Sequence, residues 1–299
     1  MLASCQEPPK EATPKARPNV LFIAVDDLRP ELGIYGGQAL TPNMDALAQE
    51  GALFEHHYVQ VPTCGASRYA LLTGHRPSQP QHLRNDAIEK AFSQPRPDAL
   101  PETFVHRLKQ AGYHTVGIGK ISHSADGFVY GYRDSVSSLR ELPQSWSELK
   151  FDAGPWETGW NAFFAYANGE NRQSLNKQVK PYEKAKVEDE GYPDGRIANL
   201  ALSTLAALKE RDTPFFLGVG FFKPHLPFNA PERYWEAYQR EAIALAPNTA
   251  APQNRYPGAL HKDPYETKNV APEQRAIVQE LLPVFKTGAA PWHRPRPQK

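Results

Sequence analysis

Three stretches of the chain are almost continuously apolar and β-rich: Asn19-Val20-Leu21-Phe22-Ile23-Ala24-Val25, Tyr113-His114-Thr115-Val116-Gly117-Ile118 and Pro214-Phe215-Phe216-Leu217-Gly218-Val219-Gly220-Phe221. Runs without polar alternation suit parallel strands buried on both faces. Helical periodicity appears between them. Thr41-Pro42-Asn43-Met44-Asp45 predicts a helix start with Thr as N-cap and Pro in the first turn. That helix would carry Leu47 and Ala48 inward and close near Gly51. A second helix is predicted from Pro101 through Leu108, closed by Gly112. A third, from about Asp194 to Lys209, places Ile197, Leu200, Ala201, Leu205 and Leu208 on one face. Leu53 to Val59 reads as a further strand leading to the turn at Cys64. Residues 124–190 are polar and aromatic with few periodic runs, which predicts a long functional insertion rather than a second core.

Alternating helices and apolar strands predict an α/β fold with a mostly parallel sheet. Ligands of such sheets bind at the carboxyl ends of the strands. Here those ends carry Asp26-Asp27, Gly119-Lys120-Ile121-Ser122-His123 and Lys223-Pro224-His225. The topology therefore predicts one rim holding Asp26, Asp27, Lys120, His123, Lys223 and His225.

Composition narrows the classes. With 34 Lys plus Arg against 33 Asp plus Glu, no global field recruits nucleic acid or a membrane surface. Proline is high, at 29 residues, and much of it lies in the leader, in residues 77–101 and after Asn248, a pattern of long irregular loops. Two cysteines make no disulfide framework. No apolar run approaches the ~20 residues of a membrane span.

The rim residues suggest chemistry. Adjacent carboxylates at ~4 Å repel by ~4 kcal/mol in a near-surface dielectric. A hard divalent cation bound through oxygens removes that cost, so Asp26 and Asp27 are candidate Ca²⁺ ligands, with Mg²⁺ second. Cys64 lies just ahead of a helix start, where unpaired N–H groups and the helix dipole favour anionic chemistry. Trp156, Trp160 and Tyr192 could stack on a sugar, although packing is the commoner use of such residues. His56, His57, His75, His82, His106 and His114 receive no role.

Cys64-Gly65-Ala66-Ser67-Arg68, followed by Leu71-Leu72-Thr73-Gly74, resembles the signature of the type I sulfatases, Cys-x-Pro-Ser-Arg-x-x-Leu-x-Thr-Gly. Ala66 stands where Pro is usual. The similarity runs from about Arg17 to about Gln279 and is closest to the iduronate-2-sulfatase-like branch. It implies an alkaline-phosphatase-like α/β fold and hydrolysis of a sulfate ester, with a sulfated carbohydrate as the expected substrate. It also implies that a formylglycine-generating enzyme oxidises Cys64 to formylglycine, whose hydrate attacks sulfur. By the same resemblance Asp26, Asp27 and the modified Cys64 bind calcium, and Arg68 holds the diol and the carboxylates. Lys120 and Lys223 face the sulfate oxygens, His123 orients the diol or assists regeneration of the aldehyde, and His225 protonates the leaving oxygen. A phosphatase or phosphonate hydrolase of the same superfamily, or an inactive fragment, are the alternatives.

Both ends depart from that pattern. Leu2-Ala3-Ser4-Cys5 and the polar tether after it resemble a bacterial lipobox, or match it by chance; the first reading implies a lipid anchor at Cys5 and an extracytoplasmic protein. The family's Ser-Asp-His-Gly-type metal motif is missing, and Pro291-Trp292-His293-Arg294-Pro295 looks unrelated to it. The expected organisation is a disordered leader over 1–17, a partial α/β domain over 18–280, incomplete at its C-terminus, and an aberrant Pro/Arg-rich tail over 281–299.

Overall fold

The computed structural model describes residues 17–92, 102–130, 137–176 and 180–244. Residues 1–16 with Cys5, the helix-opening Pro101, and the boundary and tail expected near 280 lie outside them. Its frame is a four-stranded sheet in the order β1 (Val20–Val25), β5 (Phe215–Phe221), β2 (His114–Gly119) and β3 (Glu148–Lys150). All three pairings are parallel, in register Val20 with Phe216, His114 with Phe215 and Val116 with Glu148. A smaller parallel pair joins β4 (Tyr182–Ala185) to β6 (Phe228–Pro231).

Successive strand residues point to opposite faces, and each face packs its own core. Phe215, Leu217, Val219, Val116 and Ile118 meet Ile197 and Leu208 of helix α6 (Pro193–Lys209). Phe216 faces the other way, onto Tyr69 and Leu72 of α2 (Cys64–Thr73), Ile88 of α3 (Ala87–Phe92) and Val105 of α4 (Phe104–Gln110). The predicted inward face of α6 is realised, with Leu200, Ala201 and Leu205 packed against the first core. Helix α4 starts after Thr103, whose hydroxyl accepts the His106 N–H, and ends before Gly112 at φ 86°.

Four expectations are corrected. Among the described residues strand β1 lies at the edge rather than the centre of the sheet, next to β5, and Leu21 and Ile23 remain 49% and 52% exposed on the face that no described element covers. Helix α1 (Pro42–Glu50) buries no residue, and Leu47 is 69% exposed. Thr41 does not cap it in the usual way; its hydroxyl donates to Asp45 and accepts from the Gly33 N–H. Residues 53–59 form no strand, and Phe54, Tyr58 and Val59 face solvent. Finally, the 124–190 segment is not a mere insertion. It supplies β3, a short helix α5 (Gly159–Phe163) and the buried anchors Trp146, Trp156 and Tyr166. Single large aromatics bury enough area to act as core without any periodic pattern.

Trp156 is one of these anchors, and its indole N–H donates to the carbonyls of Tyr166 and Glu170, both at 3.0 Å. Tyr192 is also buried, so packing explains both residues. Among the described residues no helix is long and apolar enough to cross a membrane. Trp156→Ala is expected to destabilise the chain by about 3–5 kcal/mol, as for other buried aromatics; urea unfolding measures it. A loss under ~1 kcal/mol would mean that the segment packs outside the core.

Candidate active site

Three strand ends and one helix start build the site. At the end of β1 the Asp26 N–H donates to the Phe221 carbonyl at 3.2 Å, so β1 and β5 stay paired up to the rim. Asp27 then adopts a left-handed backbone, φ 54°, which turns the chain out of the sheet. At the end of β2, Gly119 has φ 69°, and a Cβ there would lie 2.3 Å from the Gly220 carbonyl oxygen. Only glycine tolerates both demands, and the turn it makes delivers Lys120 into the interior, 0% exposed. Cys64 is the first residue of α2 rather than a residue ahead of it. A Cβ on Gly65 would sit 2.1 Å from the Asn85 carbonyl oxygen, and the Asn85 side chain accepts from the Gly65 N–H and the Thr63 hydroxyl at 3.0 and 3.1 Å. Asn85 thus pins the turn that carries Cys64.

Asp26 is the hub. Its carboxylate is 3% exposed, accepts from Arg68 Nη2 at 3.0 Å and pairs with Lys120 Nζ at 2.5 Å. Burial works to raise its pKa, but the two cations outweigh that and hold the carboxyl below its ordinary range. Arg68 also donates through Nη1 to the carbonyls of Lys120 and Ile121, at 2.5 and 3.0 Å. One guanidinium therefore ties α2 to the ends of β1 and β2. Burial lowers the Lys120 pKa, with Asp26 opposing, and its ammonium stands 4.3 Å over the Phe163 ring.

Cys64 Sγ faces Asp27 Oδ1 at 3.7 Å, and His225 Nε2 approaches Asp27 Oδ2 at 4.0 Å. Burial pushes the Cys64 thiol up, and Asp26 and Asp27 add to the push against Lys120 and Arg68. The expected helix-start activation of a thiolate is therefore overridden by burial, with the two carboxylates adding to it. His225 bonds the Leu226 carbonyl through Nδ1 at 2.6 Å, which puts the proton on Nδ1 and leaves Nε2 facing the pocket. Burial lowers its pKa. His123 is half-buried, its Nδ1 has no hydrogen-bond partner among the described residues, and burial followed by Lys120 brings its pKa from 6.5 to about 4.

Lys223 sits differently from the other five rim residues. Its ammonium turns back onto its own loop, donating to the carbonyls of His225 and Pro227 at 3.1 and 2.6 Å. Burial brings its pKa down to about 8, with Asp194 opposing. Asp194, in the first turn of α6, accepts the Phe222 and Lys223 N–H groups at 2.8 and 2.9 Å and so holds the loop that carries His225. Neither Asp194 nor Asn85 received a role from the sequence. An acidic residue opening a strongly periodic helix was the available signal for Asp194.

The donor set suits a divalent cation in part. Asp26, Cys64 and His225 each offer a ligand atom within 4.8 Å of one another, and the Asp27 carboxylate borders the same space through Cys64 and His225. Carboxylate oxygens are what a hard cation needs, though among the described residues they fall short of the six or more oxygens that calcium takes.

The sulfatase family model matches residues 18–270. The chain belongs to the sulfatase family. Mouse iduronate 2-sulfatase is 31% identical over 244 residues, 81% of this chain and 41% of its own length. A sulfatase of Formosa agariphila is 30% identical over 276 residues, 86% of this chain and 49% of its own. This sulfatase chain therefore spans between two fifths and one half of the length of these relatives. The phosphonate monoester hydrolase of Silicibacter pomeroyi shares the fold, with a TM-score of 0.55 at 22% identity, covering 77% of this chain and 46% of its own. The α/β fold with a mostly parallel sheet expected from the sequence is thus present, and among the described residues every pairing between its strands is parallel.

Two measurements follow from this electrostatics. Asp26→Ala leaves two buried cations without a counter-charge and is expected to cost about 3–5 kcal/mol in chemical unfolding. His123 binds its proton less readily folded than unfolded, so its contribution is complete above pH 6.5 and is lost as pH falls toward about 4. The difference in stability between wild type and His123→Gln should therefore shrink by a few kcal/mol across that window. A difference independent of pH would contradict the buried, neutral imidazole.

Proposed function

We propose that this protein hydrolyses sulfate esters of carbohydrates, with residue 64 as the nucleophile after its conversion to formylglycine. The observation that carries the reading is the convergence of Asp26, Asp27, Cys64, Arg68, Lys120 and His225 at one rim of a sulfatase-family domain. Its sugar substrate is supported by the likeness to a relative named for iduronate. The raised thiol pKa supports it too, because an unmodified Cys64 would stay protonated and make a poor nucleophile.

Formylglycine supplies a diol hydroxyl in place of the thiol. A divalent cation, Ca²⁺ in this reading, would be held by Asp26, Asp27 and residue 64, and supplies Lewis acidity toward that hydroxyl and the sulfate oxygens. The remaining work belongs to the chain. Lys120 and Arg68 keep Asp26 ionised and fixed in place, and their positive charge favours an anionic substrate. His225, its ring set by the Leu226 carbonyl at Nδ1, would pass a proton to the leaving alcohol oxygen from Nε2 after taking up a second proton there, beside the Asp27 carboxylate at 4.0 Å. His123, neutral at physiological pH, would help orient the diol. Lys223 contributes charge and loop shape rather than a direct sulfate contact.

Produced alongside a formylglycine-generating enzyme, the chain is expected to release sulfate from an aryl sulfate. Cys64→Ala should lower kcat by about 10³-fold or more, and calcium chelation should abolish turnover reversibly. Faster turnover of the matching aryl phosphate would reassign the reaction to phosphoryl chemistry. Undiminished activity in Cys64→Ala would remove the nucleophile from this account.

A further inference from the structure

Beyond the pocket, one cation is placed with unusual care. The Arg172 guanidinium lies over two aromatic rings, with Cζ 4.2 Å from the centre of Phe164 and 4.9 Å from that of Trp160. Of the two rings, Phe164 borders the wall of the site. The Phe164 centroid is 6.4 Å from the His225 imidazole, and its neighbour Phe163 is 4.8 Å from the same imidazole and lies under Lys120. Arg172 itself is half-buried, and among the described residues it makes no ion pair and no hydrogen bond; its partners are the two rings.

Stacking engages the face of a guanidinium and leaves its five N–H donors, which lie in the plane, available at the edge. It also restricts a rotamer-rich side chain, so little entropy remains to be lost when an anion binds. The position lies on the His225 side of the pocket, where the reading above puts the departing alcohol. We infer that Arg172 is an anion-binding subsite, engaging a second sulfate or a carboxylate on the sugar whose ester is cleaved. This rests on the sulfate-ester reading. Sulfate and carboxylate share the geometry that a forked guanidinium bonds in bidentate fashion. The alternative use of the stack is purely mechanical, joining residue 172 to the 160–164 segment.

Calorimetric titration of the full chain in calcium separates these. One probe pair is glucosamine 2-N,6-O-disulfate against N-acetylglucosamine 6-sulfate; the other is a sulfated uronic acid against its methyl ester. Wild type should bind at least one dianion about tenfold more tightly than its monoanionic counterpart, and the pair that gives the gain identifies the anion. Arg172→Gln should erase that gain while leaving the monoanion's Kd unchanged. Should Arg172→Gln lose its fold by circular dichroism, Arg172→Lys replaces it and should keep only part of the gain, because an ammonium lacks the fork. A gain untouched by either substitution, or no gain in wild type for either pair, overturns the subsite while the sulfate-ester reading stands. Failure of wild type to bind any of the four sugars sinks that reading, and the subsite with it.

Discussion

A single buried carboxylate holds the rim together. Burying a charge without partners is prohibitively costly, so Asp26 at the end of β1 is stable only because Arg68 and Lys120 reach it from α2 and from the end of β2. The dependence runs both ways, since Lys120 is fully buried and has no other carboxylate within salt-bridge distance among the described residues. The rest of the pocket follows from these three side chains. With α2 fixed by Arg68, Cys64 is set opposite Asp27; with Lys120 fixed, Phe163 is drawn under its ammonium and against His225.

The sequence made the rim legible because parallel strands deliver their carboxyl ends to one edge, and because the runs before Asp26, Lys120 and Lys223 are almost purely apolar. The residue types at those ends then identified the chemistry. Failures came where burial leaves no periodic trace. Trp146, Trp156 and Tyr166 are single aromatic anchors in a polar stretch, and no pattern at the strand or helix period marks them. The run 19–25 reads as doubly buried, yet among the described residues β1 lies at the sheet edge beside β5, and strand order is set by long-range pairing that composition does not encode. Helix α1 had a plausible apolar stripe but buries none of its residues, and its contact with the 33–35 turn runs through the polar Asp45.

Within the site, direction proved harder to read than location. Lys223 lies on the rim as expected, but its ammonium is spent on the carbonyls of its own loop. Asn85 and Asp194 act through backbone groups, so their roles depend on which N–H groups the fold leaves unpaired beside them. Such supporting contacts are invisible to motif reading, although they determine how firmly Cys64 and His225 are presented.

Arg68 binds two carbonyls beyond the end of β2 and one carboxylate at the end of β1, all from the first turns of α2. Those three elements are far apart in the chain and share one cross-link, so none can fray alone without stranding charge in the interior. The pocket should therefore behave as one cooperative opening unit, with amide exchange at the two strand ends and the helix start proceeding in concert. An immature or partly denatured molecule would hold no half-formed version of the cleft; it would present either the whole constellation or none of it.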